Sequence, residues 1–125
     1  MNADSTQFAY LTTVGRRTGL PRTIEIWFAE DGATMYMLAG GGRRADWVRN
    51  LLADPRVHVR VGGSREARAG VAGGVAGRAR LVEDPAEEAR ARRLVDGKYY
   101  GGETLTEWGR TALVVAVDRE APHDR

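Results

Sequence analysis

Two short segments combine glycine with arginine in a pattern suited to holding an anion. The first is Gly15–Arg22, with the sequence GRRTGLPR, and the second is Gly40–Arg44, with the sequence GGGRR. Glycine lets the backbone approach a ligand closely, and arginine offers charge-assisted donors for phosphate or carboxylate. Because an ordinary basic hairpin turn has the same composition, the first segment alone leaves both interpretations open.

The second segment leads into a predicted helix, Arg43–Ala53. Glycines before a helix N-terminus form a recurring anion site, because the first N–H groups of the helix lack partners. Two arginines in a first turn oppose the helix dipole, and a bound anion would offset that cost. Trp47 and Asn50 would share a face with Arg43, away from the apolar stripe. The pattern favours a ligand-facing role, with a structural role at a barrel edge as the alternative.

No acid–base or metal-binding constellation accompanies these segments. The sequence has no cysteine and two histidines, His58 within a predicted strand and His123 in the tail. A structural role is favoured for His58 over a catalytic one. Because convergent ligands are lacking, we expect no metal. In an enzyme of this kind, the reactive atoms would belong to a bound cofactor.

The composition predicts one small domain that works inside the cell. The chain has 125 residues, 42% of them hydrophobic, and a net charge of +2. The lack of cysteine favours the cytoplasm. No apolar stretch approaches the roughly 20 residues of a membrane span, so we expect cofactor and substrate to be met in the cytosol or at a membrane surface.

The periodicity predicts an α+β fold with about six mostly antiparallel strands and two main helices. The predicted strands are 8–14, 22–29, 35–39, 57–61, 64–82 and 110–118. The segment 64–82 is expected to be one long bent strand or two strands with a kink. Helices are expected over Arg43–Ala53, with a core stripe of Ala45, Val48, Leu51 and Leu52, and from an Asp84 N-cap to about Val95. Short hairpins and a bent strand favour a barrel-like sheet. A single domain, 1–125, is expected, with 1–6 and 119–125 as loose tails.

The order of these segments resembles the deazaflavin-dependent nitroreductase family from about Tyr10 to Val117. The resemblance is carried by the runs LTTVGRRTGLPRTIEIWF, YMLAGGGRRADWVRNLLADPRVHVRVGG and GRARLVEDPAEEARARRLV. It implies a split β-barrel related to those of pyridoxamine oxidases and flavin reductases. It also implies a reduced 8-hydroxy-5-deazaflavin coenzyme (coenzyme F-420) that reduces quinones or nitroaromatic compounds.

The resemblance assigns cofactor contacts to three groups of residues. The loop that holds the cofactor's phosphate and acidic tail corresponds to Gly15, Arg16, Arg17, Thr18, Gly19 and Arg22. The backbone that lines the deazaflavin ring corresponds to Ala39, Gly40, Gly41, Gly42, Arg43 and Arg44. Trp47 and Asn50 correspond to helix residues that face the cofactor. The chain departs from the family pattern at Gly40–Gly41, where a Ser-Lys pair is frequent, and at Val48, where tyrosine is frequent.

The leading hypothesis is therefore a reductase that passes a hydride to a small-molecule acceptor. No catalytic residue is assigned; Tyr99 and Tyr100 are candidates for the acceptor pocket, with core or dimer packing as the alternative. An FMN-binding, flavin-reductase-like protein and a non-catalytic cofactor-binding module are the competing functions. Nucleic acid is disfavoured because few aromatics would point outward from the strands. A homodimer is expected from the short chain and the small side chains over 71–77, and peripheral membrane contact stays open.

Overall fold

The computed structural model describes residues 8–62, 74–100 and 112–120, apart from the side chains of the last two residues of the second helix. The described strands are β1 Ala9–Val14, β2 Pro21–Ile26, β3 Phe28–Asp31, β4 Thr34–Ala39, β5 Arg56–Val61, β6 Gly74–Leu81 and β7 Leu113–Arg119. The described α-helices are α1 Asp46–Ala53 and α2 Pro85–Tyr100, and a 3-10 turn, Gly42–Arg44, precedes α1.

The described strands form one antiparallel sheet in the order β2-β1-β5-β6-β7-β4-β3. One face of this curled sheet encloses the main core together with α1, and includes Leu11, Met37 and Val59. The other face of β4 and β7 is covered by α2, where Leu38 and Val114 are buried. Strand β7 is therefore apolar on both faces, which explains its unbroken run of small aliphatic residues.

Helix α1 begins at Asp46, three residues later than predicted. Ala45 is the N-cap residue, with extended backbone angles of φ −63° and ψ 138°. Arg43 and Arg44 lie in the preceding 3-10 turn, so the predicted conflict between two arginines and the helix dipole does not arise. The predicted core stripe is confirmed at Val48 and Leu51, which are buried. The prediction that Leu52 belongs to it is wrong, since the Leu52 side chain is 49% exposed.

Helix α2 starts as predicted and ends later. The Asp84 carboxylate accepts a hydrogen bond from the Glu87 N–H at 2.9 Å, as an N-cap does. The helix continues through Gly97 to Tyr100, beyond the expected end near Val95. A glycine inside a helix lowers helix stability by about 1 kcal/mol. Two contacts next to Gly97 offset this cost: Val95 is buried, and the Lys98 ammonium lies over the Phe28 ring.

The predicted strand 22–29 is two strands that break at Trp27. β2 pairs with β1, whereas β3 pairs with β4, so the chain changes neighbours within one apolar run. This break raises the described strand count from the expected six to seven. The turn at Asp31-Gly32 is confirmed, with φ +63° at the glycine.

The C-terminal half of the predicted 64–82 strand is confirmed as β6, while 64–73 lies outside the described residues. β7 extends one residue into the segment predicted as a tail. Its last residue, Arg119, donates to the Glu30 carboxylate at 2.7 Å and to the Ala33 carbonyl at 3.0 Å. These bonds attach the end of β7 to the β3–β4 hairpin.

Candidate functional site

The loop between β1 and β2 is held in shape by its own hydrogen bonds. The Gly15 N–H donates to the Leu20 carbonyl, and the Gly19 N–H donates to the Gly15 carbonyl, both at 2.8 Å. Gly19 has φ +74°, a conformation that other residues rarely adopt. A Cβ on Gly15 would lie 2.9 Å from Thr18 Oγ1, so this position excludes larger residues. The two glycines therefore set the turn that presents the arginines.

A cavity of about 330 Å³ lies between this loop, β2 and α1. Its lining residues are Gly15, Arg16, Arg17, Thr18, Arg22, Ile24, Asp46, Trp47 and Asn50. The structure thus brings most of the predicted loop residues together with the predicted helix residues, although at least 24 residues of sequence separate them. Ile24 and Asp46 also line the cavity but are not among the predicted site residues. Neither residue carries a local signal for this role, since Asp46 is placed only once the start of α1 is known.

The three arginines of the cavity differ in their surroundings. The Arg16 side chain is 22% exposed and ion-paired with Asp46 at 3.2 Å. Arg17 and Arg22 are exposed, and neither side chain is hydrogen-bonded or ion-paired within the described residues. Their guanidinium groups therefore keep their donors for an anion that enters the cavity.

The apolar wall of the cavity is formed by Trp47 and Ile24. Both side chains are partly buried and pack against the main core. Asn50 is 4% exposed, and its amide is bound to protein rather than directed outward. Its oxygen accepts from the Arg16 backbone N–H and guanidinium, and its nitrogen donates to the Thr13 hydroxyl. The cavity is therefore lined both by cationic donors and by the apolar side chains of Trp47 and Ile24.

The second glycine-arginine segment does not line this cavity. Ala39 is buried at the end of β4, and Gly42 has φ +59°. The Arg44 N–H donates to the Gly41 carbonyl at 3.1 Å, which occupies one of the N–H groups expected to be free. Arg43 instead lines a separate groove of about 610 Å³, beside Leu52 and Arg80. The predicted shared face of Arg43 with Trp47 is therefore wrong, because the helix does not extend back to Arg43.

The remaining predicted candidates lie elsewhere or outside the described residues. His58 packs over Gly74, where a Cβ would overlap the imidazole ring. This close packing favours the structural role expected for it. The side chains of Tyr99 and Tyr100 and the residue His123 are outside the described part of the chain.

Two further features, a metal-binding cluster and a membrane-spanning helix, are absent from the described part of the chain. Among them, no group of three or more His, Asp or Glu side chains is arranged to hold a metal ion. No helix within 8–62, 74–100 or 112–120 has the length and apolar character needed to cross a membrane.

Several solved structures share this architecture, and two of them illustrate the likeness. An F420 reductase superposes with a TM-score of 0.64 at 22% identity, over 94% of this chain and 90% of that one. The haem storage protein of Vibrio cholerae superposes with a TM-score of 0.65 at 18% identity, over 92% of this chain and 82% of that one. At these identities the likeness concerns the fold, and it confirms the predicted α+β split barrel.

Sequence comparison identifies the family. The F420H(2)-dependent quinone reductase of Mycobacterium tuberculosis strain H37Rv is 38% identical over 58 residues, 44% of this chain and 39% of that protein. The matched region thus spans less than half the length of this curated relative. The description of the F420H(2)-dependent quinone reductase family, by contrast, matches residues 2–120. The chain belongs to the F420H(2)-dependent quinone reductase family.

Proposed function

We propose that this protein is a reductase that uses coenzyme F420, a deazaflavin, to reduce a quinone. The observation that carries the proposal is the cavity between the β1–β2 loop and α1. There, two arginines without described partners face the side chain of Trp47. Family membership supports the choice of coenzyme, and the cavity supports the way in which the chain holds it. When bound, the reduced coenzyme supplies a hydride to the acceptor.

The donor set of the cavity fits the anionic part of such a coenzyme. Arg17 and Arg22 provide bidentate donors for phosphate or carboxylate, each bond contributing about 1.5–3 kcal/mol. Thr18 Oγ1 accepts the Leu20 N–H at 3.1 Å, so its own hydroxyl proton is free to reach an anion oxygen. A volume of about 330 Å³ suits the tail of a coenzyme rather than the whole molecule.

The apolar wall of the cavity, formed by Trp47 and Ile24, has a different role from that of the arginines. Trp47 and Ile24 exclude water from one side of the cavity and give a flat surface for the uncharged part of a ligand. In the proposal, Ala39–Arg44 lines the ring and the pair Tyr99 and Tyr100 lines the acceptor pocket. The chain's contribution to the reaction is then to orient the two partners and to keep water from the reacting atoms.

The finer assignments belong to the same proposal. Quinones are the proposed acceptors because the chain belongs to a family of quinone reductases. Nitroaromatic compounds are proposed as further acceptors of the hydride. We also propose a homodimer that works in the cytoplasm, in keeping with the short chain and its lack of cysteine. Contact with a membrane surface would bring the protein to lipid-dissolved quinones.

A parallel titration with coenzyme F420 and FMN tests the function. We expect F420 to bind more tightly, since its longer tail carries carboxylates beyond the phosphate, and we expect its reduced form to be oxidised when menadione is added. Loss of the absorbance of the oxidised coenzyme on reduction, and its return with the quinone, provide the readout. Equal or tighter binding of FMN would replace the deazaflavin assignment with a flavin one. Binding without quinone reduction would instead favour a non-catalytic carrier.

A further inference from the structure

Arg16 is anchored in a way that Arg17 and Arg22 are not. Its guanidinium donates to the Asn50 amide oxygen at 2.8 Å and to the Asp46 carboxylate at 3.2 Å. Its backbone N–H donates to the same Asn50 oxygen at 3.1 Å. Asp46 and Asn50 are four residues apart, so they occupy one face of α1 and receive the fork of the guanidinium together.

The Asn50 amide has no acceptor capacity left for a ligand. A carbonyl oxygen accepts two hydrogen bonds along its two lone pairs, and Arg16 supplies both. The amide nitrogen donates to Thr13 Oγ1 at 3.2 Å, and Thr13 is 1% exposed. The orientation is fixed by its neighbours, because a flipped amide would place its NH₂ group against the two Arg16 donors. Asn50 thus connects the first strand, the loop and the helix.

We propose that Asn50 is a positioning residue that acts on the bound anion through Arg16, since its oxygen is fully engaged by Arg16 and one of its amide N–H groups is held by Thr13. This inference rests on the proposed function, in which Arg17 and Arg22 hold the anionic tail of the coenzyme. By fixing Arg16 against α1, Asn50 sets the distance between the two free arginines and the Trp47 wall. Arg16 is then a strut of the cavity, its charge largely engaged by Asp46, rather than a third ligand of the anion.

A double-mutant cycle of Asn50→Ala and Arg16→Ala tests this role. We measure the dissociation constant of oxidised coenzyme F420 for the wild type, both single variants and the double variant. Each single variant is expected to bind about tenfold more weakly, as for the loss of one charge-assisted hydrogen bond. The double variant is expected to bind no more weakly than either single one, because both changes remove the same strut. Multiplicative losses, or unchanged affinity in Asn50→Ala, would overturn the proposal.

A conservative variant separates a strut from a ligand at Arg16. Lysine keeps the charge but cannot form the fork to Asp46 and Asn50. Arg16→Lys is therefore expected to bind as weakly as Arg16→Ala, whereas wild-type affinity in Arg16→Lys would show that the charge alone matters and would overturn the strut. Val48→Ala is the matched control on α1, since it lowers stability without touching Arg16. If Asn50→Ala does not fold, Asn50→Ser takes its place, being too short to reach the guanidinium.

Inorganic pyrophosphate distinguishes failure of this inference from failure of the proposed function. A wild type that binds pyrophosphate but not coenzyme F420 contradicts the proposed function, and the cycle repeated with pyrophosphate then decides the role of Asn50. A wild type that binds neither contradicts both. If the wild type binds F420 but the losses of affinity in the two single variants multiply in the double variant, only the inference about Asn50 is contradicted.

Discussion

Arginine is used differently in two regions of this molecule. Where α2 meets the sheet, four of the described arginines are paired with carboxylates: Arg80 with Glu87 and Asp118, Arg90 with Asp31, Arg92 with Glu88 and Arg119 with Glu30. At the β1–β2 loop, Arg17 and Arg22 line a cavity and have no ion pair within the described residues. These four arginines are thus matched by negative charge, whereas in the loop region only Arg16 is, through Asp46, and Arg17 and Arg22 are not matched by any described residue.

The difference shows where binding energy is available. In the α2 region, Arg80 binds both Glu87 and Asp118, and the Tyr36 hydroxyl donates to Glu87 at 2.7 Å. These groups satisfy one another, so their effect is on the stability of the fold. In the loop region the side-chain donors of Arg17 and Arg22 are not satisfied by any described residue, so an incoming anion gains their interactions. Composition alone cannot reveal this difference, because it depends on which carboxylates the fold places nearby.

The largest expected effect is the loss of ligand binding when both free arginines are removed. Arg17→Ala together with Arg22→Ala should weaken F420 binding by about 10²- to 10⁴-fold, since each charge-assisted bond contributes about 1.5–3 kcal/mol. Each single variant should lose part of this affinity. Because both side chains are exposed, thermal unfolding should be unchanged. Titration with F420 and a melting curve measure the two quantities.

The outcome of that experiment decides whether the comparison between the regions holds. Unchanged affinity in the double variant would make the loop an ordinary solvated turn. Arg90→Ala is the matched control from the α2 region, since it removes one exposed arginine from an ion pair with Asp31. It should leave F420 binding as it is in the wild type.

The second prediction separates the two faces of α1. Val48→Ala should lower the free energy of unfolding by about 1–3 kcal/mol, because Val48 is fully buried and its loss leaves a cavity. Trp47 lies about 100° further around the helix and faces the ligand cavity. Trp47→Phe keeps most of the packing and should instead weaken F420 binding. Chemical denaturation and the quenching of tryptophan fluorescence, with Trp27 and Trp108 as remaining emitters, measure these effects.

Untouched affinity and quenching in Trp47→Phe would show that α1 does not present this face to the ligand. The site would then be reduced to the loop with Arg17 and Arg22. A large loss of binding in Val48→Ala at temperatures where the variant is folded would equally contradict the division of α1 into two faces.

The elements that the sequence predicts well are those with strong local signals. The Asp84 cap and the Asp31-Gly32 turn are confirmed because each depends on a few adjacent residues. The break at Trp27 was missed, because the two strands on either side share one apolar pattern and differ only in their partners across the sheet. The end of α2 was missed for the same kind of reason: long-range packing carries the helix past Gly97.

The candidate site was predictable in part. Residue types identified the loop from Gly15 to Arg22, and helical spacing placed Trp47 and Asn50 together. The contribution of Asp46 and the engagement of the Asn50 amide oxygen depend on the docking of α1 against the loop, a contact between residues 30 and 34 positions apart. Such contacts leave no local signal in one sequence.

The third prediction concerns the paired region. Glu87→Gln keeps the shape of the side chain but removes its charge, so the ion pair with Arg80 is lost and the hydrogen bond with Tyr36 becomes neutral and weaker. We expect the free energy of unfolding to fall by about 1–2 kcal/mol, limited by the partial exposure of Arg80. F420 binding should be unchanged, because Glu87 does not line the ligand cavity. A loss of binding with unchanged stability would contradict the assignment of this region to the fold.

The last and smallest effect is the pH dependence of stability that arises from the same pair. The Arg80 guanidinium, followed by the Tyr36 hydroxyl, lowers the pKa of Glu87 from 4.5 to about 2. A carboxyl group with a depressed pKa in the folded state stabilises the protein above its unfolded pKa, and this contribution disappears as the pH falls through the folded pKa. The contribution of Glu87 should therefore be complete above about pH 4.5 and lost by about pH 2. Because Arg80 is partly solvent-exposed, we expect it to amount to only about 1 kcal/mol.

Denaturation of the wild type and Glu87→Gln between pH 6 and pH 2.5 isolates this contribution. The wild type should lose more stability than the variant across that interval, since glutamine does not titrate. Asp54→Asn is the matched control: Arg56 also lowers the pKa of Asp54 to about 2, but that pair lies at the surface, where water screens it. Its pH profile should therefore differ less from the wild type than that of Glu87→Gln. Parallel profiles for wild type and Glu87→Gln would mean that the Arg80–Glu87 pair adds nothing to the fold, and the contrast between paired and free arginines would then be one of geometry alone.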